Sequence, residues 1–344
     1  MNRDELLEIL PRLKGKRVIV VGDLFLDEYL VGRPARISRE APVLVLEYEK
    51  RFCLPGGGTN PARSLQALNS DAVLVGVVGD DPNGVELRGL LSSSGIRTDG
   101  VIVDPSRPTV TKTRILAQDG NIIRQQVVRL DRFSRSSLDG SVVGKLVDYL
   151  KGSVESVDAI LLSDYKSGVI TPEVIAACGD LARRHNKLLT VDSQGDLLRF
   201  KGFGLVKSNQ SEAEATLGTV LDSEESFRSA CQQILGELGA RIVVITRGGN
   251  GMSMMVSGGA YVHIPVVNRS EVFDVTGAGD TAIAVLTVAL AAGARPMVAA
   301  HLANYAAGLV VRKIGNATAS VDEMRETIAS SQFPRVDPEQ DSLK

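Results

Sequence analysis

The sequence predicts an α/β protein: a doubly wound, mostly parallel sheet with helices on both faces, carrying a small β-sheet lid. Three observations lead there. The run Arg17-Val18-Ile19-Val20-Val21-Gly22-Asp23 is apolar without alternation, the pattern of a strand covered on both faces of a parallel sheet. After residue 137, apolar runs of this kind alternate with segments of helical length. Between them, Tyr29-Leu30-Val31 and Val43-Leu44-Val45-Leu46-Glu47-Tyr48 are strand-like with no helix separating them, so they belong to an accessory sheet.

In chain order, residues 3–13 read as a short amphipathic helix before the first strand. Leu54-Pro55-Gly56-Gly57-Gly58-Thr59-Asn60 reads as a glycine loop, with Pro61 at the first helical position and the helix running to Leu68. Asn69 falls where a helix end wants a left-handed residue. A strand at 72–78, a helix at 83–93 and a short strand at 101–103 follow. Thr109 to Ala117 and Ile122 to Leu130 form a hairpin around Asp119-Gly120-Asn121 and complete the accessory sheet. The regular part comprises helix 138–151, strand 158–163, helix 172–185, strands 188–192 and 204–207, helices 211–217 and 223–238, and strand 241–246. A pair of strands at 251–264 and helices at 278–291, 296–312 and 321–329 close the chain. The expected organisation is a single domain over 1–335, with a lid from 27–52 and 107–131 and a polar tail at 336–344.

With 344 residues, 44% hydrophobic and 23% charged, the chain is expected to be globular. Its net charge of −2, from 39 basic and 41 acidic side chains, argues against a general nucleic-acid or acidic-membrane partner. Cys53, Cys178 and Cys231 have no C-x-x-C spacing, and His185, His263 and His301 stand far apart, so no zinc site is expected. The acidic N-terminus lacks a secretory apolar region, and the longest apolar stretch, Ala282 to Ala294, is too short to span a bilayer; a cytoplasmic location follows as the expectation.

The stretch that carries the chemistry is Asp274-Val275-Thr276-Gly277-Ala278-Gly279-Asp280, followed by an apolar run of helical length. Its glycines free the backbone to turn and leave amides bare at the positive end of a helix, which is an anion site. Asp280 beside that cradle stands where a general base would meet a hydroxyl, an arrangement suited to phosphoryl transfer. Two other readings compete. One is a plain Gly-rich turn capped by Asp. The other is the dinucleotide fingerprint, which fits G-x-G-x-x-A but lacks a strand entering the first glycine and an acid about 20 residues on.

Further polar residues fall at strand ends, where ligands of such sheets bind: Gly22-Asp23, Ser163-Asp164-Tyr165, Val191-Asp192-Ser193, Asn209-Gln210-Ser211-Glu212 and Thr246-Arg247-Gly248-Gly249. Taken with Asp274 to Asp280, they make the chain, over roughly residues 17–330, resemble the ribokinase-like (PfkB) carbohydrate kinases. The resemblance implies a fold of that type, ATP as co-substrate, and a set of roles. Asp280 would be the base, and the amides of Gly277, Ala278 and Gly279 the hole for the transferring phosphate. Asn209 and Glu212, matching N-x-x-E, would serve Mg2+ and the nucleotide phosphates, with Glu212 as the metal ligand. Thr246, Arg247, Gly248 and Asn304 would lie at the nucleotide. Gly56, Gly57, Asn60, Asp23 and Asp27 would hold the sugar, with Lys112, Arg114, Asp164 and Asp192 completing the substrate set. Asp274 and the Lys313–Gly315 loop lie where some members bind K+.

Within the family, Leu26-Asp27, Arg36-Ile37-Ser38, Thr111-Lys112-Thr113-Arg114 and Gln125 to Asp131 are similar to the branch acting on D-glycero-β-D-manno-heptose 7-phosphate. Two departures stand out. Those kinases usually carry Asp-Pro-Lys-Gly where this chain has Asp192-Ser193-Gln194-Gly195, so a point charge suited to a sugar phosphate is replaced by a neutral amide. The H-x-G-H motif of an adenylyltransferase half does not occur, so at most a kinase step is expected. A kinase for another sugar and a non-catalytic sugar sensor are the alternatives. Apolar residues at Val43 to Tyr48 and Thr109 to Leu116 suggest that two lids pair, giving a homodimer.

Overall fold

A computed structural model describes residues 3–119, 125–267, 274–313 and 315–331. It contains a nine-stranded sheet and a separate four-stranded one. The large sheet holds β1 (Arg17–Gly22), β4 (Asp71–Gly79), β5 (Arg97–Asp104), β8 (Ala159–Asp164), β9 (Leu188–Ser193), β10 (Leu205–Asn209), β11 (Ile242–Thr246), β12 (Met252–Val256) and β13 (Tyr261–Ile264). Their order is β13-β12-β11-β10-β9-β8-β1-β4-β5. All neighbours are parallel except β11–β12 and β12–β13, which are antiparallel at one edge. The chain leaves β1 toward β4 on one side and returns to β8 on the other, so the switch point lies between β1 and β8.

The apolar runs are explained by two cores. Val18 and Val20 point into one and Ile19 and Val21 into the other, so each strand is covered twice. The helices are α1 (Arg3–Ile9), α2 (Thr59–Ala67), α3 (Pro82–Ser93), α4 (Gly140–Ser153), α5 (Pro172–Arg184), α6 (Gln210–Leu217), α7 (Glu224–Leu238), α8 (Ala278–Ala291), α9 (Pro296–Val310) and α10 (Val321–Ser330). Helix α8 is buried at every position from Asp280 to Ala289. That explains its all-round apolar sequence: it is a core helix. No helix among the described residues is long and apolar enough to cross a membrane.

The lid sheet is β3-β2-β6-β7, from β2 (Leu24–Ile37), β3 (Leu44–Gly57), β6 (Thr111–Ala117) and β7 (Gln125–Arg132). It is more extensive than expected from sequence. Only Asp23 separates β2 from β1. The supposed glycine loop is largely strand, because Gly56 and Gly57 pair with Phe25 and Leu24 before α2 begins at Thr59. Pro61 is therefore the third helical residue, not the first. The helix expected over 3–13 ends at Ile9 and tightens into a 3₁₀ turn over Leu10–Leu13, where Pro11 cannot donate to an α-helical ladder. Asn69 does adopt the left-handed conformation, with φ 59°. Gly120 and Asn121 of the hairpin turn and the whole polar tail lie outside the described residues. Exposed apolar side chains occur at Val43, Leu44 and Tyr48, as expected, and also at Ile37; the second exposed set is on β7, at Val127, Val128 and Leu130. On β6, Thr111 and Leu116 are instead buried.

Candidate active site

The N-terminus of α8 lies beside Tyr165 just after β8, Asp192 on β9 and Lys207 on β10. Gly277 adopts φ 80° and its side-chain-free position gives no cap. Among the described residues the amides of Gly277 and Gly279 find no backbone partner, whereas that of Ala278 donates to the Val275 carbonyl at 3.3 Å. Two of the three expected anion-hole amides are thus bare, as a helix start leaves them. A Cβ on Gly279 would lie 2.8 Å from Lys207 Nζ and press on that ammonium.

Asp280 does not cap the helix. Its buried carboxylate accepts from Asn60 Nδ2 at 2.9 Å, and the Tyr165 hydroxyl lies 2.8 Å from both of its oxygens. Burial, then the nearby Asp192 carboxylate, push its pKa up to about 6 from an ordinary 3.8, against the hydrogen bonds of Asn60 and Tyr165 and the charge of Lys207. A carboxylate so placed is ionised near neutral pH and takes a proton readily. The plain-turn reading therefore fails, since the acid makes no bond to the helix amides.

Behind Asp280, Asp192 on β9 pairs with Lys207 on β10 at 2.6 Å. Burial alone would lower the Lys207 ammonium's pKa, but the Asp192 carboxylate raises it above the ordinary value. Neither Lys207 nor Tyr165 was assigned a role from sequence. A lysine inside the apolar strand Leu205-Val206-Lys207 was a visible signal. The reach of Tyr165 to an acid 115 residues away was not.

On the lid side, Asp27 accepts from Arg114 Nη1 at 2.7 Å and from Asn316 Nδ2 at 3.1 Å. Gly56 is dictated by this acid, because a Cβ there would fall 2.2 Å from Asp27 Oδ2. Lys112 places Nζ 4.1 Å from the Phe25 ring centre and 5.7 Å from that of Tyr165. The Oδ1 atoms of Asn60 and Asn316 are buried acceptors with no partner among the described residues. Such groups are costly unless a ligand donates to them, which suits the hydroxyls of a polyol. Asn316 escaped the sequence reading entirely.

Asp23 and Asp164 hold loops. Asp23 accepts the amides of Tyr165, Ser167 and Val169 at 2.9–3.0 Å, so both of its oxygens are engaged and it positions Tyr165. Burial raises its pKa while these amides oppose the shift. Asp164 accepts the Lys166 amide and lies 2.8 Å from Ser193 Oγ. Gly57, with φ 60°, would place a Cβ 2.6 Å from the Asp23 carbonyl. Asp274 accepts the amides of Thr276 and Gly315.

Asn209 and Glu212 form a reciprocal capping box on α6: Asn209 Oδ1 accepts the Glu212 amide at 2.9 Å and Glu212 Oε2 the Asn209 amide at 2.7 Å. Both line an open cleft of about 740 Å³. Of the remaining nucleotide candidates, Thr246 on β11 sits in register with Asn209. Arg247 pairs with Glu224 at 2.6 Å and lies over the Phe227 ring, Thr246 Oγ1 donates to the Ser208 carbonyl, and Asn304 Nδ2 donates to the Pro265 carbonyl. Gly248 follows Arg247 with φ 54°. No cluster of three or more metal-ligating side chains occurs among the described residues.

The profile of the pfkB family carbohydrate kinases matches residues 16–323. The chain belongs to the pfkB family of carbohydrate kinases. Its reaction class is accordingly phosphoryl transfer to an alcohol. Among curated proteins, this family member is 41% identical over 325 residues to the bifunctional protein HldE of Geobacter metallireducens, and 39% identical over 325 residues to that of Trichlorobacter lovleyi. Each alignment covers 94% of this chain and 65% of the relative, so the chain spans about two thirds of their length. Among solved structures, phosphofructokinase-2 from Escherichia coli in complex with potassium superposes with a TM-score of 0.74 at 20% identity, covering 92% of this chain and 98% of that one. Arabidopsis thaliana ribokinase complexed with ribose and ATP gives 0.71 at 18%, covering 92% and 100%. These show the same ribokinase-like fold.

Proposed function

We propose that this carbohydrate kinase transfers the γ-phosphoryl group of ATP to a hydroxyl of D-glycero-β-D-manno-heptose 7-phosphate, giving the 1,7-bisphosphate. The observation that carries the phosphoryl-transfer step is Asp280: a buried carboxylate with its pKa pushed up to about 6, held by Asn60 and Tyr165 at the start of a helix with bare amides. The heptose assignment is supported by the HldE relatives and by the lid motifs. In this reading Asp280 takes the proton of the attacking hydroxyl, and the amides of Gly277 and Gly279 receive the charge that develops on the transferring group. Asp27, Asn60 and Asn316 hold the sugar hydroxyls, and closure of the lid excludes water.

Glu212 would hold Mg2+. One of its oxygens is committed to the capping box and the other is left for a ligand, and Mg2+ bound with nucleotide phosphates needs only one or two carboxylates. Bound there, the ion would neutralise phosphate charge. Asp274 and the segment around Gly315 would serve K+. The remaining proposals are a single kinase domain with a lid, a cytoplasmic location, and a homodimer through the lid's exposed Ile37, Val43, Leu44 and Tyr48. A screen of sugars and sugar phosphates for ATP consumption tests the function. Turnover of heptose 7-phosphate is expected, and turnover of a different sugar only would replace the substrate.

A further inference from the structure

The loops after β8 and β9 are stitched together. Asp164 Oδ1 accepts the Lys166 amide at 3.0 Å, its carbonyl accepts the Gln194 amide at 3.0 Å, and Ser193 Oγ lies 2.8 Å from both Asp164 Oδ2 and the Gly195 carbonyl. Lys166 is thereby carried alongside Gln194. It adopts φ 60°, a conformation that costs any residue with a side chain, and this turns its side chain across the neighbouring loop. A Cβ on Gly195 would fall 2.2 Å from Lys166 Nζ, so the ammonium rests on the bare glycine backbone. That places it in the cleft lined by Gln194, Gly195, Asn209, Ser211 and Glu212.

Among the described residues Lys166 makes no ion pair, although Glu212 is near enough to feel its charge. Nearby lid cations are engaged elsewhere: Arg114 with Asp27, Arg129 with Asp131 and Lys112 against two aromatic rings. We propose that Lys166 supplies the cation for a phosphate group bound in this cleft, in place of the charge that Gln194 lacks. The cation then comes from the loop after β8, with its head beside Gly195 on the loop after β9. The ligand chemistry is a phosphoryl oxygen, brought either by the nucleotide or by the phosphate of the acceptor. This inference rests on the kinase reading above.

Lys166→Gly tests it, because glycine suits φ 60° and removes the side chain without straining the loop. Steady-state kinetics and calorimetric binding would be measured separately for ATP and for heptose 7-phosphate. A charge-assisted contact predicts weakening of about ten- to a hundredfold for one of the two ligands, which identifies the source of the phosphate. Adding Gln194→Lys to the Lys166→Gly protein is expected to restore most of that loss, and the melting temperature of Lys166→Gly should not fall below wild type. Both ligands remaining within about twofold of wild type, or a loss that Gln194→Lys does not recover, would overturn the proposal. If the wild-type protein turns over no sugar at all, the kinase reading fails by itself. The two binding measurements still decide on Lys166.

Discussion

Replacing Tyr165 by Phe removes one oxygen and keeps the ring that packs edge-on against Phe25, with centroids 5.2 Å apart. The lost hydroxyl stands 2.8 Å from both oxygens of Asp280. It is a donor throughout the working pH range, because burial and then the Asp280 charge push the phenol pKa well above its ordinary value. A hydrogen bond to a charged group is worth about 1.5–3 kcal/mol, or about one to two pKa units. The groups facing Asp280 are Asn60 from α2, Tyr165 from the loop after β8, Asp192 from β9 and Lys207 from β10, and only Tyr165 is altered. The Asp280 pKa should therefore climb from about 6 to about 7–8. A raised pKa leaves less carboxylate at a given pH, so the acid limb of kcat/KM should move to higher pH by about the same one to two units. At pH 7 the ionised fraction falls from about nine tenths to between about a half and a tenth, while activity above pH 9 largely recovers. A pH–rate profile from 5 to 9.5 reads this out. An unmoved limb, or an equal fractional loss at pH 6 and pH 9, would refute the assignment of Tyr165 to the Asp280 carboxylate.

Two further substitutions probe the two sides of the cleft. Gly56→Ala sets a methyl 2.2 Å from Asp27 Oδ2 and must drive that acid off Arg114 and Asn316; with an overpacking cost of about 1–3 kcal/mol, the KM for the acceptor should rise about tenfold while ATP binding holds. Unchanged acceptor KM would remove Asp27 from the sugar site. Glu212→Gln can still complete the capping box, so α6 should keep its stability while the Mg2+ concentration needed for half-maximal rate increases. Identical Mg2+ titrations would leave Glu212 with the cap alone.

The layered fold was legible because the strands are buried on both faces, and uninterrupted runs such as Val18 to Val21 have no other stable home. The lid was underread because local signals misled. Pro55 and three successive glycines look like a loop, yet Gly56 and Gly57 are held in a strand by β2, and the pairing that decides it is not local. The base and the anion cradle were readable as one contiguous stretch. Tyr165 and Asn316 were not, because their partners Asp280 and Asp27 lie 115 and 289 residues away. Asn209 and Glu212 show the converse: the i, i+3 spacing was seen, but the same spacing makes a capping box, and the pair bond to each other.

Asp280→Asn tests the central claim. The asparagine keeps the shape and can bond to both Asn60 and Tyr165, the hydroxyl now accepting. Because the folded pKa of about 6 exceeds the ordinary 3.8, the unfolded chain loses this proton first; stability therefore falls as pH rises from about 4 to 6, and at pH 7 the charge costs about 3 kcal/mol. The variant should melt no lower than wild type at pH 7 and still bind ATP. With heptose 7-phosphate as acceptor, its kcat should drop at least about a hundredfold, the contribution of a general base. A folded, ATP-binding Asp280→Asn protein that keeps most of the wild-type kcat would contradict the account.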